Sequence, residues 1–230
     1  MPRTRRRCGR TRMNEAPLSD HDEAQVQAAV AAVETTDGLV PREAFPALQS
    51  DALRAVVARR LAALGRVLLI REYHGTKGFT SGYDDSVAER LAAEGIGVLP
   101  PMDRAVLVLV LLRTVAAPRA RGVHGSASWL TDVPGTSIEE LYANPHFTYE
   151  QLRPAVRRLK ARRLLREGYH RTLLPGPALL RLTDAQSARL WEDLVLVTRP
   201  DSMYARAIRR RREEQPHPGR RPGPSRETSP

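Results

Sequence analysis

The sequence predicts a mainly helical α+β protein in which one supersecondary unit is used twice. A pattern of helix ending in Arg-Arg-Leu followed by a strand pair around a turn occurs as AVVARRLAALGRVLLIREYHGTKGF over residues 55–79 and as AVRRLKARRLLREGYHRTLLPGPALL over residues 155–180. Arg59-Arg60-Leu61 aligns with Arg157-Arg158-Leu159 at a shift of 98, and Tyr73-His74 aligns with Tyr169-His170 at a shift of 96. A register kept through a helix and into a strand marks a repeated unit. The length of 230 residues accommodates two such units of about 80 residues, each able to bury a modest core.

The first unit begins where Ser19 and Asp20 can cap a helix over residues 21–35, with Val26, Val30 and Val33 on one stripe and Asp37-Gly38 stopping it. Pro41 suits the first turn of a short second helix over 41–48. Ser50-Asp51 starts the third, whose inward stripe is Leu53, Val57, Leu61 and Leu64, and Gly65 ends it. Residues 67–70 form a strand whose partner follows the Gly75-Thr76-Lys77-Gly78 turn. Asp84-Asp85-Ser86 then caps a helix to Glu94.

In the second unit Asp103 caps a helix whose apolar run over 106–112 leaves no polar face. Residues 117–136 are a long connection holding either a short strand near 127–130 or a moving flap. Ser137 and Glu140 form a capping-box pattern for a helix over 138–143. Thr148 caps the third helix, 149–162, with Leu152, Val156 and Leu159 inward. Pro154 costs about 3 kcal/mol in a helix interior, so this helix is expected to begin late enough to place it in the first turn. Strands over 164–170 and 178–182 flank a proline-rich wing, and Thr183-Asp184 caps a final helix to about Val197.

Three helices followed by a strand pair resemble a winged helix. The expected organisation is two tandem winged-helix domains at 19–95 and 103–198, joined by a linker at 96–102, between disordered basic tails at 1–18 and 199–230.

The formal net charge of +11 invites a nucleic-acid reading, so its location matters. Residues 1–12 supply +6 and residues 206–230 supply +5, leaving 23 basic and 23 acidic side chains in a neutral body. Basicity of the whole chain therefore says nothing about that body. Lys77 and Lys160 are the only lysines among 37 basic residues, a bias better explained by GC-rich coding than by selection for bidentate phosphate contacts. By the same logic Met13 stands beside Met1 as a candidate start.

Several classes are set aside. The longest apolar run, 105–112, has eight residues against the roughly 20 of a membrane span. Arg5-Arg6-Arg7 is followed by no apolar stretch of an export signal, and the single cysteine, Cys8, forms no internal disulfide, so a cytoplasmic location is expected, nucleoid-associated where the chain binds DNA. His21, His74, His124, His146, His170 and His217 show no metal-ligand spacing, and neither Gly75-Thr-Lys-Gly nor Gly95-Ile-Gly97 fits a phosphate-binding loop. Asp84-Asp85 and Glu139-Glu140 suit helix starts. The sequence therefore reads as non-enzymatic, without cofactor or metal. Trp129 and Trp191 read as packing residues, with the neighbours of Trp191 equally able to form a dimer face.

The sharpest local charge lies over 149–171, with eight basic residues and two acids. Arg153, Arg157 and Lys160 recur at i, i+4 and i+7 opposite the apolar stripe, as on a helix that faces a DNA groove. With Arg158, Arg166, Arg171 and the first unit's Lys77 they form the candidate DNA contacts, against the alternative of a solvated arginine-rich face. The first unit, with Arg54, Arg59 and Arg60 diluted by Asp51 and alanines, reads as a protein-packing helix.

Over about residues 20–197 the order of elements resembles the MukE/MksE-type accessory subunits of bacterial condensins, with the ScpB type more distant. The stretches VLLIREYHGTKGF, PPMDRAVLVLVLLRTVAAPRARG and LKARRLLREG carry the resemblance, although such helix endings usually have glycine in place of Arg163. The resemblance implies a homodimer that binds a kleisin bridging an SMC-like ATPase and touches DNA, in chromosome organisation or plasmid defence. The alternative is a homodimeric winged-helix transcription regulator; an adaptor using the fold only for protein contacts is a third class.

Overall fold

The computed structural model describes residues 18–73, 75–122, 128–130 and 134–214. Expectations for residues 1–17 and 215–230, for Cys8, His74, His124 and His217, and for residue 127 lie outside the described residues; residues 128–130 of the expected strand near 127–130 are described and form no strand. The protein is mainly helical, with one three-stranded and one two-stranded antiparallel sheet.

Helix α1 spans Asp20–Thr35 behind an Ser19 cap that accepts from the Asp22 amide. Strand β1, Val40–Pro41, and a 3₁₀ turn at Arg42–Ala44 precede the short helix α2, Pro46–Gln49. This corrects the expected helix over 41–48. Pro41 pairs with Gly78 in the sheet, and Pro46 forces Phe45 into an extended conformation (φ −137°, ψ 122°), so the helix begins one proline later. Helix α3 is Asp51–Ala63, capped by Ser50, and it ends on left-handed Gly65 (φ 71°). Val57 and Leu61 are fully buried, whereas Leu64 is exposed, because the chain has left the helix there.

Strands β2, Arg66–Tyr73, and β3, Thr76–Tyr83, pair from Arg66↔Tyr83 to Tyr73↔Thr76. Lys77 therefore lies within β3 opposite Glu72, not in the expected four-residue turn. Helix α4, Asp85–Ala93, follows an Asp84 cap. Val26, Ala29 and Val33 of α1 meet Leu48, Val57, Leu61, Val40 and Phe79 in a first hydrophobic cluster.

Helix α5 is Pro101–Leu111. Asp103 is not its cap; Pro100 occupies that position and Asp103 lies inside the first turn, fully buried. The helix runs on through a π turn, Leu112–Ala116, into α6, Ala117–Ala120, so the connection begins later than expected. The wide turn is the reason Pro118 does not end the helix: the Ala117 amide reaches back to the Leu112 carbonyl, and the Thr114 hydroxyl donates to Val110 at 2.7 Å.

Helix α7, Ile138–Tyr142, has the expected Ser137–Glu140 capping box. Helix α8, Tyr149–Ala161, has another between Thr148 and Gln151. That box fixes the start at Tyr149, so Pro154 is interior and the expected late start is wrong. The carbonyl that loses its partner belongs to Glu150, an exposed residue. Burial of Leu152, Val156 and Leu159, about 1.5–3 kcal/mol each, outweighs the roughly 3 kcal/mol proline cost.

Strands β4, Leu165–Glu167, and β5, Leu173–Pro175, flank a 3₁₀ turn at Tyr169–Arg171. The expected second strand at 178–182 is instead a 3₁₀ turn at Pro177–Arg181, since Pro175 and Pro177 remove the amide donors that a longer ladder needs. Helix α9, Asp184–Thr198, has a Thr183–Gln186 capping box. The second cluster gathers Val106, Val110, Leu111, Trp129, Leu141, Leu152, Leu159, Leu165, Leu173 and Leu194.

Helix α10, Met203–Glu214, overturns the expectation of disorder beginning at 199. Ala205 and Ile208 are buried, and Arg211 and Arg212 pair with Glu192 and Asp193 of α9. Few apolar residues mark this helix in the sequence, because charge pairing with a neighbour holds much of it.

Arginines join the N-terminal and C-terminal elements. Arg181 donates to the carbonyls of Glu34 (2.8 Å) and Thr36 (2.9 Å) and to the Ser81 hydroxyl (3.1 Å). Arg71 donates to the Leu182 carbonyl at 2.6 Å and pairs with Asp184. A Cβ at Gly82 would stand 2.2 Å from the Arg181 carbonyl, so only glycine allows this approach.

Candidate nucleic-acid interface

Helix α8 buries Leu152, Ala155, Val156 and Leu159 and turns Arg153 and Arg157 outward, one helical turn apart. Neither arginine makes an ion pair among the described residues. The Arg153 guanidinium lies 5.4 Å from the centre of the Tyr149 ring, and Tyr149 meets Tyr142 edge-on at 6.3 Å. Beyond the C-terminal end of α8 the turn between β4 and β5 carries Tyr169, His170 and Arg171, all exposed. His170 (φ 53°) and Arg171 (φ 58°) are both left-handed without being glycine, a conformation that costs roughly 1–2 kcal/mol per residue.

The other candidate contacts are engaged within the protein. Arg158, itself exposed, binds the buried Asp103 through two parallel bonds, Nη2 to Oδ1 at 2.6 Å and Nε to Oδ2 at 3.0 Å. The hydrogen bond to Asp103 raises the Arg158 pKa above its ordinary value. Lys160 pairs with Glu167 at the end of β4, and that hydrogen bond lowers the Glu167 carboxyl from its usual range. Arg166 donates to the Tyr73 hydroxyl at 3.3 Å, toward the first hairpin. Lys77, by contrast, is exposed on β3, opposite Glu72. Arg153 and Arg157 on α8 and Arg171 in the turn between β4 and β5 are thus exposed candidates.

The corresponding helix α3 offers less. Arg54 pairs with Asp51 at 2.5 Å and donates to the Leu48 carbonyl at 3.0 Å, while Arg60 pairs with Glu23 at 2.6 Å. The hydrogen bond from Arg60 lowers the Glu23 carboxyl below its ordinary range.

Sequence reasoning missed two features of this surface. The three tyrosines were legible as residues but carried no periodic signal. The pairing of Arg158 had a signal in the repeat, since Arg60 and Arg158 each precede a buried leucine, Leu61 and Leu159, and each meets an acid of another helix, Glu23 and Asp103.

Trp129 is buried against Trp191, with ring centres 6.2 Å apart, and its indole donates to the Ser187 hydroxyl at 2.7 Å. The Arg119 guanidinium lies 5.2 Å from the Trp191 ring centre, and burial lowers its pKa. Among the described residues no three His, Cys, Asp or Glu side chains gather as metal ligands, and no helix is long and apolar enough to cross a membrane. No protein-family model and no curated protein sequence matches this chain.

Proposed function

We propose that this chain is a non-catalytic, DNA-associated protein of two tandem winged helices, serving as an accessory subunit of a condensin-type SMC–kleisin assembly. The observation that carries DNA association is the outward pair Arg153 and Arg157 on α8, flanked by wing-tip Arg171. A helix that buries one face on its own core and holds unpaired guanidinium groups on the other supplies phosphate contacts at a groove.

The contacts available favour phosphate over base reading. Gln151, the one amide side chain on α8, is occupied by its own capping box, accepting from the Thr148 amide at 3.2 Å. Lys160 is neutralised by Glu167. Binding without sequence preference suits an accessory subunit better than a repressor. The condensin setting, the homodimer and the kleisin partner rest on the sequence resemblance, and two hydrophobic clusters within the described chain agree with two winged-helix units.

The test is fluorescence anisotropy of the full chain on duplexes of unrelated sequence over a salt series. All duplexes should bind within a few-fold of one another, with steep salt dependence. Arg153→Ala with Arg157→Ala should lower the slope of log K against log salt by roughly 2, about 0.9 for each lost phosphate contact. An unchanged slope would assign binding elsewhere, and a single sequence preferred by about 10³ would favour the regulator instead.

A further inference from the structure

We propose that the surface bordering α8 is a stacking platform for single-stranded DNA, an inference that rests on the DNA association above and narrows its substrate to unpaired strands. Among the described residues between 99 and 196, the large hydrophobic side chains that stand exposed are all tyrosines: Tyr142 (53%), Tyr149 (48%) and Tyr169 (82%). All three border α8. Tyr142 ends the short helix before it, Tyr149 is its first residue, and Tyr169 stands at the tip of the wing that follows.

The chemistry of this set is that of a single-strand site. Every nucleobase has a π-face that an exposed aromatic ring can cover, and guanidinium groups beside the rings hold the phosphates. Duplex DNA keeps those faces stacked inside. Tyr142 and Tyr149 meet at 89°, and Arg153 lies over Tyr149, so the more exposed Tyr142 ring is the stacking surface and Tyr149 supports it. At the other end Tyr169 is held outward by construction. The left-handed His170 and Arg171 turn the chain back, the Thr172 hydroxyl donates to the Tyr169 carbonyl at 2.7 Å, and the His170 ring packs 3.9 Å from the Tyr169 ring.

Tyr149 and Lys160 lie about 16 Å apart along the helix, and Lys160 ties the helix end to β4 through Glu167. A strand laid along α8 passes Arg153 and Arg157 between its two aromatic ends. Among the described residues none of the exposed aliphatic side chains, nor exposed Met203, belongs to α7, α8 or the 169–171 turn.

The test compares the full chain on labelled oligothymidine of about 15 nucleotides and on a duplex of the same length, at about 0.15 M salt. Oligothymidine is expected to bind several-fold more tightly than duplex. The double variant Tyr142→Leu with Tyr169→Leu should lose roughly tenfold or more on oligothymidine while duplex affinity changes less than about twofold, and Tyr169→Phe should retain binding. Circular dichroism of each variant establishes that the fold is kept. Preference for duplex, or a leucine variant that binds oligothymidine as the parent does, overturns the platform and leaves DNA association standing. Binding to neither probe overturns both.

Discussion

Arg158 binds Asp103 through two parallel hydrogen bonds, and the carboxylate it holds is fully buried in the first turn of α5. The pair joins the helix that carries the outward arginines to the most apolar helix of the chain. It repeats the Arg60–Glu23 pair, which joins α3 to α1. Removing one partner of a buried ion pair leaves the other charge uncompensated. Arg158→Ala, which leaves the buried Asp103 carboxylate unpaired, should therefore lower the melting temperature by several degrees while leaving DNA affinity within about twofold. A variant with normal stability and impaired DNA binding would instead make Arg158 a DNA contact.

Arg163 stands in the left-handed position that Gly65 occupies in the first unit, with φ values of 58° and 71°. Both follow the Arg-Arg-Leu helix end, and the Arg163 side chain pairs with Asp37. That pair is more than half exposed and is worth about 0.2–1 kcal/mol, against roughly 1–2 kcal/mol of left-handed strain. Arg163→Gly should stabilise by about 0.5–1 kcal/mol in urea unfolding, and Arg163→Ile should destabilise by more than about 1 kcal/mol.

Arg181 bridges three backbone carbonyls and the Ser81 hydroxyl, and burial lowers its pKa. Arg181→Ala leaves those acceptors without their donor, a loss of about 2 kcal/mol. Urea denaturation should show the lower midpoint. Hydrogen exchange should become faster in the β3 segment around Ser81, and a variant with unchanged exchange there would contradict the joining role.

Glu140 accepts from the Thr136 hydroxyl at 2.7 Å and from the Ser137 amide at 3.0 Å, and these bonds, the first foremost, lower its carboxyl from the ordinary 4.5. A lowered folded-state pKa contributes stability that is fully present above the unfolded value and is lost as pH falls through the folded one. Melting temperatures of the parent and Glu140→Gln should therefore differ above about pH 4.5 and converge below it. Parallel curves down to strongly acid pH would refute the assignment.

Local signals made much of the fold legible. Ser19, Ser50, Asp84, Ser137, Thr148 and Thr183 all cap the helices expected of them, because a side-chain oxygen before an apolar run is a short-range feature. The errors arose where a distant partner or a proline decided. Asp103 looks like a cap until Arg158 is placed against it, and α10 looks like a solvated tail until Glu192 and Asp193 meet its arginines. Pro154 was expected to delay the start of its helix, yet tertiary burial absorbs it. At the candidate interface the spacing of Arg153 and Arg157 was readable, whereas the diversion of Arg158, Lys160 and Arg166 to internal partners needed three dimensions.

The most direct measurement of the central claim is a hydrogen-exchange footprint of the full chain with and without random-sequence DNA. The account expects protection over residues 149–161 and around the wing turn at 169–171, with little change over α3. Protection absent from α8 and the wing, with binding retained, would contradict it and move the DNA to another part of the chain.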